Sequence, residues 1–284
     1  MKTLAQRQRV SGNAWARRRG RTIALLLVCS AVLPAFLLSA ESVSVRYAQG
    51  ILHGFLVLRT LDGAAIADGE LTQVARGDRV TDDTTFRFRD GSFYQETAVF
   101  SQRRVFRLLS DHVVQKGPSF KQPMETALDA STGEFTARYT DDGKEKTLRE
   151  HIKAPLDLAN GMIPVLLQNL RPGVPQWTVS MVVATPKPRI VKLVISPEGE
   201  ESFTAGSGSH KATRYLIKIE IGGAAGVLAP LLGKQPPDTH MWIASGNAPI
   251  LVKSEAPLYA GGPIWRIELA SPIWSNTASQ SPAK

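Results

Sequence analysis

From Tyr47 onward, apolar and polar positions alternate with a period of two more often than they recur at helical spacing. Trp177, Val179, Met181 and Val183 fall on one side of their segment, with Thr178 and Ser180 on the other. Tyr215, Ile217, Ile219 and Ile221 oppose Leu216, Lys218 and Glu220, and Trp265, Ile267 and Leu269 oppose Arg266 and Glu268. This pattern predicts antiparallel sheet with one covered face and one wet face. Gly54–Leu61 is a β-rich run that ends at Asp62-Gly63. Phe86–Arg89 meets Asp90-Gly91 and is followed by Phe93–Phe100, which predicts a hairpin. Arg104–Leu109, Glu125–Asp129 and Glu134–Tyr139 continue in short pieces, Asp141–Lys144 predicts a tight turn into Glu145–Ile152, and Ile190–Ser196 is a β-branched run.

Helix is scarce. Leu156, Ala159, Ile163, Leu166, Leu167 and Leu170 approach helical spacing, interrupted by Asn160-Gly161 and Pro164. A turn is expected there, then a short helix from near Met162. Pro164 falls in its first turn, where a missing N–H costs little. A second short apolar helix is expected over Ala224–Leu232. The fold expected is mainly β: a curved antiparallel sheet, or an open or half barrel, with one or two short helices. It forms a single domain over residues 41–274, and the polar tail 275–284 is expected to be disordered.

The first forty residues break the pattern. Lys2, Arg7, Arg9, Arg17, Arg18, Arg19 and Arg21 run into the uncharged apolar segment Ile23–Leu38, followed by Ser39 and Ala40. This reads as an export address, with cleavage after Ala40 expected and an uncleaved anchor helix as the alternative. The positive-inside rule keeps the arginines in the cytoplasm, so a periplasmic or exported location is expected for the rest, tethered to the inner membrane if the address is retained. Arg17–Arg19 lacks the flanking residues of a twin-arginine signal. Val28 is not the small residue that a lipoprotein site wants before Cys29.

Dividing the charge at residue 40 changes its meaning. The formal net charge is +9, but the first forty residues hold seven of the 34 Lys and Arg and none of the 25 Asp and Glu. Residues 41–284 therefore keep 27 basic against 25 acidic side chains, or +2. The basic balance belongs to the address, and no nucleic-acid partner is expected. Cys29 is the sole cysteine, so residues 41–284 cannot use a disulfide, a thiol nucleophile or thiolate ligands.

Catalytic signatures are missing from the sequence. His53, His112, His151, His210 and His240 form no H-x-x-x-H or H-x-H pair, so no metal or other cofactor is expected. His210 lies in the polar stretch Ala205–His210, read as a solvated loop, and no G-x-S-x-G elbow frames Ser207 or Ser209. Gly222-Gly223-Ala224-Ala225-Gly226 fails the dinucleotide pattern, because Ile221 stands where its first glycine belongs. Asp82-Asp83 and Asp141-Asp142 sit next to turn residues and read as solvated turns; as strand neighbours they would point to opposite faces and make poor acid/base pairs. The candidate cavity-lining side chains are Trp177, Met181, Tyr215, Trp242 and Trp265, with Val227, Leu228 and Leu231 as an apolar lip.

Gly233–Ile243 (GKQPPDTHMWI), Leu258–Leu269 (LYAGGPIWRIEL) and Leu158–Pro164 (LANGMIP) resemble a family of uncharacterised exported bacterial proteins. That family is similar to a broader group of periplasmic domains of unknown function with a long, curved antiparallel sheet. The resemblance covers roughly residues 50–270. It implies an all-β fold and bacterial export, and supplies no catalytic residues. The function expected is non-enzymatic binding, in the periplasm or cell envelope, of an apolar ligand such as a lipid or lipoprotein chain, or of an envelope partner. The N-terminal segment is the expected membrane contact. Two rival expectations stand beside it. One is an envelope hydrolase using His210, His240 or His112 with a carboxylate; the other is a structural or interaction protein without a ligand cavity.

Overall fold

The computed structural model describes residues 42–205, 208–220, 236–246 and 248–270. The address segment, the apolar lip Val227, Leu228 and Leu231, the helix expected over Ala224–Leu232 and the tail from Ser275 lie outside the described residues.

Alternation in the sequence becomes sheet almost throughout. The strands are β1 (Leu52–Arg59), β2 (Ala65–Arg76), β3 (Arg79–Phe88), β4 (Phe93–Ser101), β5 (Arg107–Lys116), β6 (Met124–Asp129), β7 (Glu134–Asp141), β8 (Lys144–His151), β9 (Trp177–Val183), β10 (Arg189–Ala205), β11 (Gly208–Glu220), β12 (Thr239–Ala244), β13 (Ile250–Ala256) and β14 (Trp265–Leu269). They form one antiparallel sheet in the order β8-β7-β6-β5-β4-β3-β2-β1-β14-β13-β12-β11-β10-β9. It consists of two meanders joined where β1 pairs with β14, Leu56 opposite Leu269. The sheet does not close, and β8 and β9 are its edges. The expected fold class is therefore the observed one.

The chain passes from one edge to the other through the single described helix, α1 (Ile163–Asn169). Met162 is its N-cap and Pro164 sits in its first turn, as the sequence predicts. Val165, Leu166 and Leu167 are buried. They pack among Ala98, Phe100, Leu128 and Phe135 from one meander and Val179, Leu193, Ile195 and Ile217 from the other. One face of the sheet thus wraps around α1 and is its inner face. A second cluster joins Leu56, Leu58, Phe86, Phe88, Tyr94, Phe120 and Trp265. Gly69 belongs there because Phe86 covers it: a Cβ at this position would lie 2.4 Å from the ring.

The two edges are protected differently. β8 exposes Lys144, Glu145, Lys146 and Arg149, charges that discourage pairing with another chain. β9 is covered by the segment leading into α1. Ala159 N–H donates to Ser180 O at 2.8 Å, and Ser180 N–H to Asp157 O at 3.1 Å. The Asn160 side chain then imitates a strand residue: Nδ2 donates to Val182 O, and Oδ1 accepts from Val182 N, both at 2.8 Å. Asn160→Ala strips both groups of Val182 of their partners in a buried place. It is expected to cost about 2 kcal/mol, read as a lower urea midpoint.

Two local expectations need correction. Asp82-Asp83 is no turn: both residues lie in the middle of β3, paired through Gln73 and Thr72 to β2. His210 is not in a loop, since it pairs with Phe203 in the long β10–β11 hairpin. Asp141-Asp142 does occupy a turn, with Asp142 at φ 49°.

Candidate functional site on the inner face of the sheet

Period-two geometry sends Asp82 and Asp83 to opposite faces. Asp83 accepts from Thr97 Oγ1 at 2.6 Å, Gln95 Nε2 at 2.8 Å and Thr85 Oγ1 at 3.2 Å. Asp82 shares the inner face with Val80 and Phe86, both fully buried. In the ladder, Asp82 stands opposite Ala98 of β4, and Ala98 stands opposite Asp111 of β5. Glu96 lies two residues before Ala98 on the same face. Three carboxylates therefore surround one methyl group.

The segment before α1 approaches this row closely. A Cβ on Gly161 would lie 2.5 Å from Ala98 Cβ, and 3.3 Å from both Asp111 Oδ1 and Glu96 Oε1. Gly161 also adopts φ +63°. Only a residue without a side chain fits this conformation in this space. Tyr94, another inner-face residue of β4, donates its hydroxyl to Glu96 Oε2 at 3.1 Å.

Burial dominates the electrostatics. It pushes the Asp82 carboxyl up to about 7, with the charges of Glu96 and Asp83 adding to the shift. It raises Glu96, against the Tyr94 hydrogen bond that favours its charged form. Asp111 is held well above the usual carboxylate range by burial and then by Glu96, with Asn160 opposing. Tyr94 is raised by burial and by Glu96 and Asp111. Asp111 is only 6% exposed and its Oδ1 has no hydrogen-bond partner. Asp82 and Glu96 keep some accessible surface, whereas Ala98 between them is buried. Among the described inner-face residues of β2–β6 there is no Lys, Arg or His. The arrangement can store protons near neutral pH or accept hydrogen bonds from a cationic group.

The candidate residues read from the sequence divide into three places. Trp177 and Met181 of β9 and Tyr215 of β11 meet in the cluster around α1. Trp265 lies in the other cluster, ringed by Phe88, Phe120 and Tyr259. Trp242 is on the face away from α1, among charges. Its Nε1 donates to Glu201 Oε2 at 2.7 Å, and Lys253 Nζ lies 3.6 Å from the ring centroid, with the Arg214 guanidinium at 5.4 Å. Cations already cover this ring, so it presents no face to an apolar ligand.

The histidines are dispersed over different strands. His112 meets Glu125 at 3.0 Å, His240 lies 3.6 Å from Glu198, and His53 meets Glu70 at 2.6 Å. His210 stacks near Phe203, with centroids 5.6 Å apart. A recess of about 330 Å³ is lined by Ser42, Arg107, Pro155, Leu156, Asp157 and Lys192. Behind it, Lys192 Nζ donates to Ser180 Oγ at 2.8 Å and to Asp157 Oδ2 at 3.1 Å, while Ser180 Oγ donates to the Asp157 carboxylate. Ser180 is fully buried, so its Oγ offers no approach to a substrate; the triplet clips the covering segment to β9 and β10. Among the described residues no group of three His, Cys, Asp or Glu side chains is arranged to hold a metal ion.

Sequence reasoning missed the carboxylate row, although a signal for it exists. In Val80-x-Asp82-x-Thr84-x-Phe86 and Tyr94-x-Glu96-x-Ala98-x-Phe100, an acid occupies the parity of the apolar residues.

No family model matches the chain, and no curated protein matches it. Among solved structures it is similar to the crystal structure of a beta-barrel-like protein of domain of unknown function DUF1849 from Brucella abortus. The two are 10% identical, the match covers 81% of this chain and 100% of that one, and the TM-score is 0.45. What the chain is similar to is thus a bacterial domain whose function is itself unknown.

Proposed function

We propose that this chain is a non-enzymatic binding protein, exported to the periplasm or cell envelope, that takes an apolar molecule such as a lipid against the inner face of its open sheet. One observation carries the reading. Met181, Tyr215, Met241 and Leu251 point to the inner face and pack against the core, yet remain half-buried. A sheet whose inner face served only as core would bury this row as it buries Val179, Leu193 and Ile217. Met241 stands opposite Tyr215 in the ladder, so the two make one continuous apolar surface. Covering about 200 Å² of such surface is worth about 5 kcal/mol before the cost of immobilising the ligand. The basic, apolar first forty residues supply the export reading.

Native mass spectrometry of the purified full chain, followed by solvent extraction, tests this. A co-purifying lipid-sized species is expected, and Met241→Lys is expected to reduce its occupancy at least tenfold. A chain that carries no such species and takes up no fluorescent fatty-acid probe would overturn the reading.

A further inference from the structure

We propose that Asp82, Glu96 and Asp111 receive an ammonium group, so that the preferred ligand is a primary amine carried on an otherwise apolar or uncharged molecule. This rests on the reading that the inner face takes a ligand, and it names the ligand's polar end.

Three observations converge. Asp111 Oδ1 is buried without a partner, an expensive state for an acceptor unless something donates to it. Glu96 Oε1 and Asp111 Oδ1, from neighbouring strands, both come within 3.3 Å of the place a Cβ on Gly161 would take; that place is too tight for any group, and it shows only that the two acceptors are near each other. Asp82 faces the same methyl group, Ala98, from the other side. An ammonium group offers three donors and no acceptor, which suits carboxylates set on neighbouring strands of one face.

Among the described residues that face the row there is no Lys, Arg or His. The groups facing the row are Gln73 and Leu71 of β2, Thr84 of β3, Tyr94 of β4, Val113 of β5, Thr126 and Leu128 of β6, and Asn160 and Gly161 before α1. Tyr94 is the one titratable group among them. A cationic ligand would therefore bring the charge that these described groups lack. It would also favour the ionised carboxylates, so protons held by the cluster near neutral pH leave to the buffer as the amine arrives.

The test is calorimetric titration of the full chain with dodecylamine and dodecanol, whose chains are equal and whose heads differ. At pH 8 dodecylamine is expected to bind at least tenfold more tightly. At pH 6.5, titrations in buffers of different ionisation enthalpy are expected to show net proton release. Asp111→Asn and Glu96→Gln, each checked for folding by its thermal melt, are expected to erase the preference while dodecanol binding persists. Equal affinity for the two probes overturns the ammonium site and leaves the apolar reading standing. A preference without proton release, or one that survives in both variants, overturns it as well. Failure of both probes to bind overturns both proposals.

Discussion

Gly161→Ala is expected to lower the melting temperature by roughly 5–12 °C, equivalent to about 3 kcal/mol. Two costs add. The backbone sits at φ +63°, which glycine adopts freely and alanine does not. The new methyl would lie 2.5 Å from Ala98 Cβ, inside any allowed contact, with carboxylate oxygens at 3.3 Å beside it. Nothing at the far end of a flexible side chain can swing away, because Ala98 is fixed in the middle of β4. The segment 157–162 must therefore lift, which loosens its pairing with β9. The paired control is Gly143→Ala, in the β7–β8 turn. It has a similar φ of +72° but open space around the missing Cβ, so it bears only the backbone cost. A loss for Gly161→Ala no larger than for Gly143→Ala would mean that the close approach to the carboxylate row does not hold in solution.

Asp82→Asn is expected to stabilise the protein at pH 8 by roughly 2–4 kcal/mol and to change little at pH 4. An unfolded aspartate releases its proton near 3.8, whereas the folded Asp82 holds it until about 7. Well below 3.8 both states are protonated and the pH-dependent penalty is absent. As pH rises from there, the unfolded chain ionises first and the folded state falls behind. The penalty grows until about pH 7 and then stays constant. Three pH units of difference correspond to about 4 kcal/mol. Asparagine keeps the shape and never ionises, so the share of the decline due to Asp82 disappears from the variant. Glu96 and Asp111 are shifted in the same direction and keep their own share of the decline. Urea denaturation of both proteins from pH 4 to pH 8 checks this, and parallel curves for the two would refute it.

Much of the fold was legible because alternation is a local property. The faces of β9, β11 and β14, the Asp90-Gly91 hairpin and the entry of α1 at Met162 with Pro164 in its first turn all follow from neighbours in sequence. The order of strands did not follow, because nothing local says that Leu56 will lie opposite Leu269. Two features of the candidate site were not legible, for separate reasons. Trp242 has the parity of a surface position, opposite Arg214 and Lys253, but its aromatic identity outweighed that parity. Asp82 was judged by its neighbour Asp83 and by the frequency of acids in turns, when its parity with Val80 and Phe86 was the informative relation. The approach of Gly161 to Ala98 joins residues more than sixty positions apart, and only the folded chain reveals it.

The seam between β1 and β14 also sets the order in which this molecule can assemble. Each of β1–β8 touches the strand next to it in sequence, so that meander can build up hairpin by hairpin as the chain emerges from the ribosome or a translocation channel. The free side of β1 has to wait until β14 has been made. Until then an unpaired strand edge carrying Phe55 and Val57 stays open in the middle of what will become the sheet. The exposed edge therefore lasts from early in synthesis until the last strand is made, and a chaperone that shields β1 would act throughout that interval.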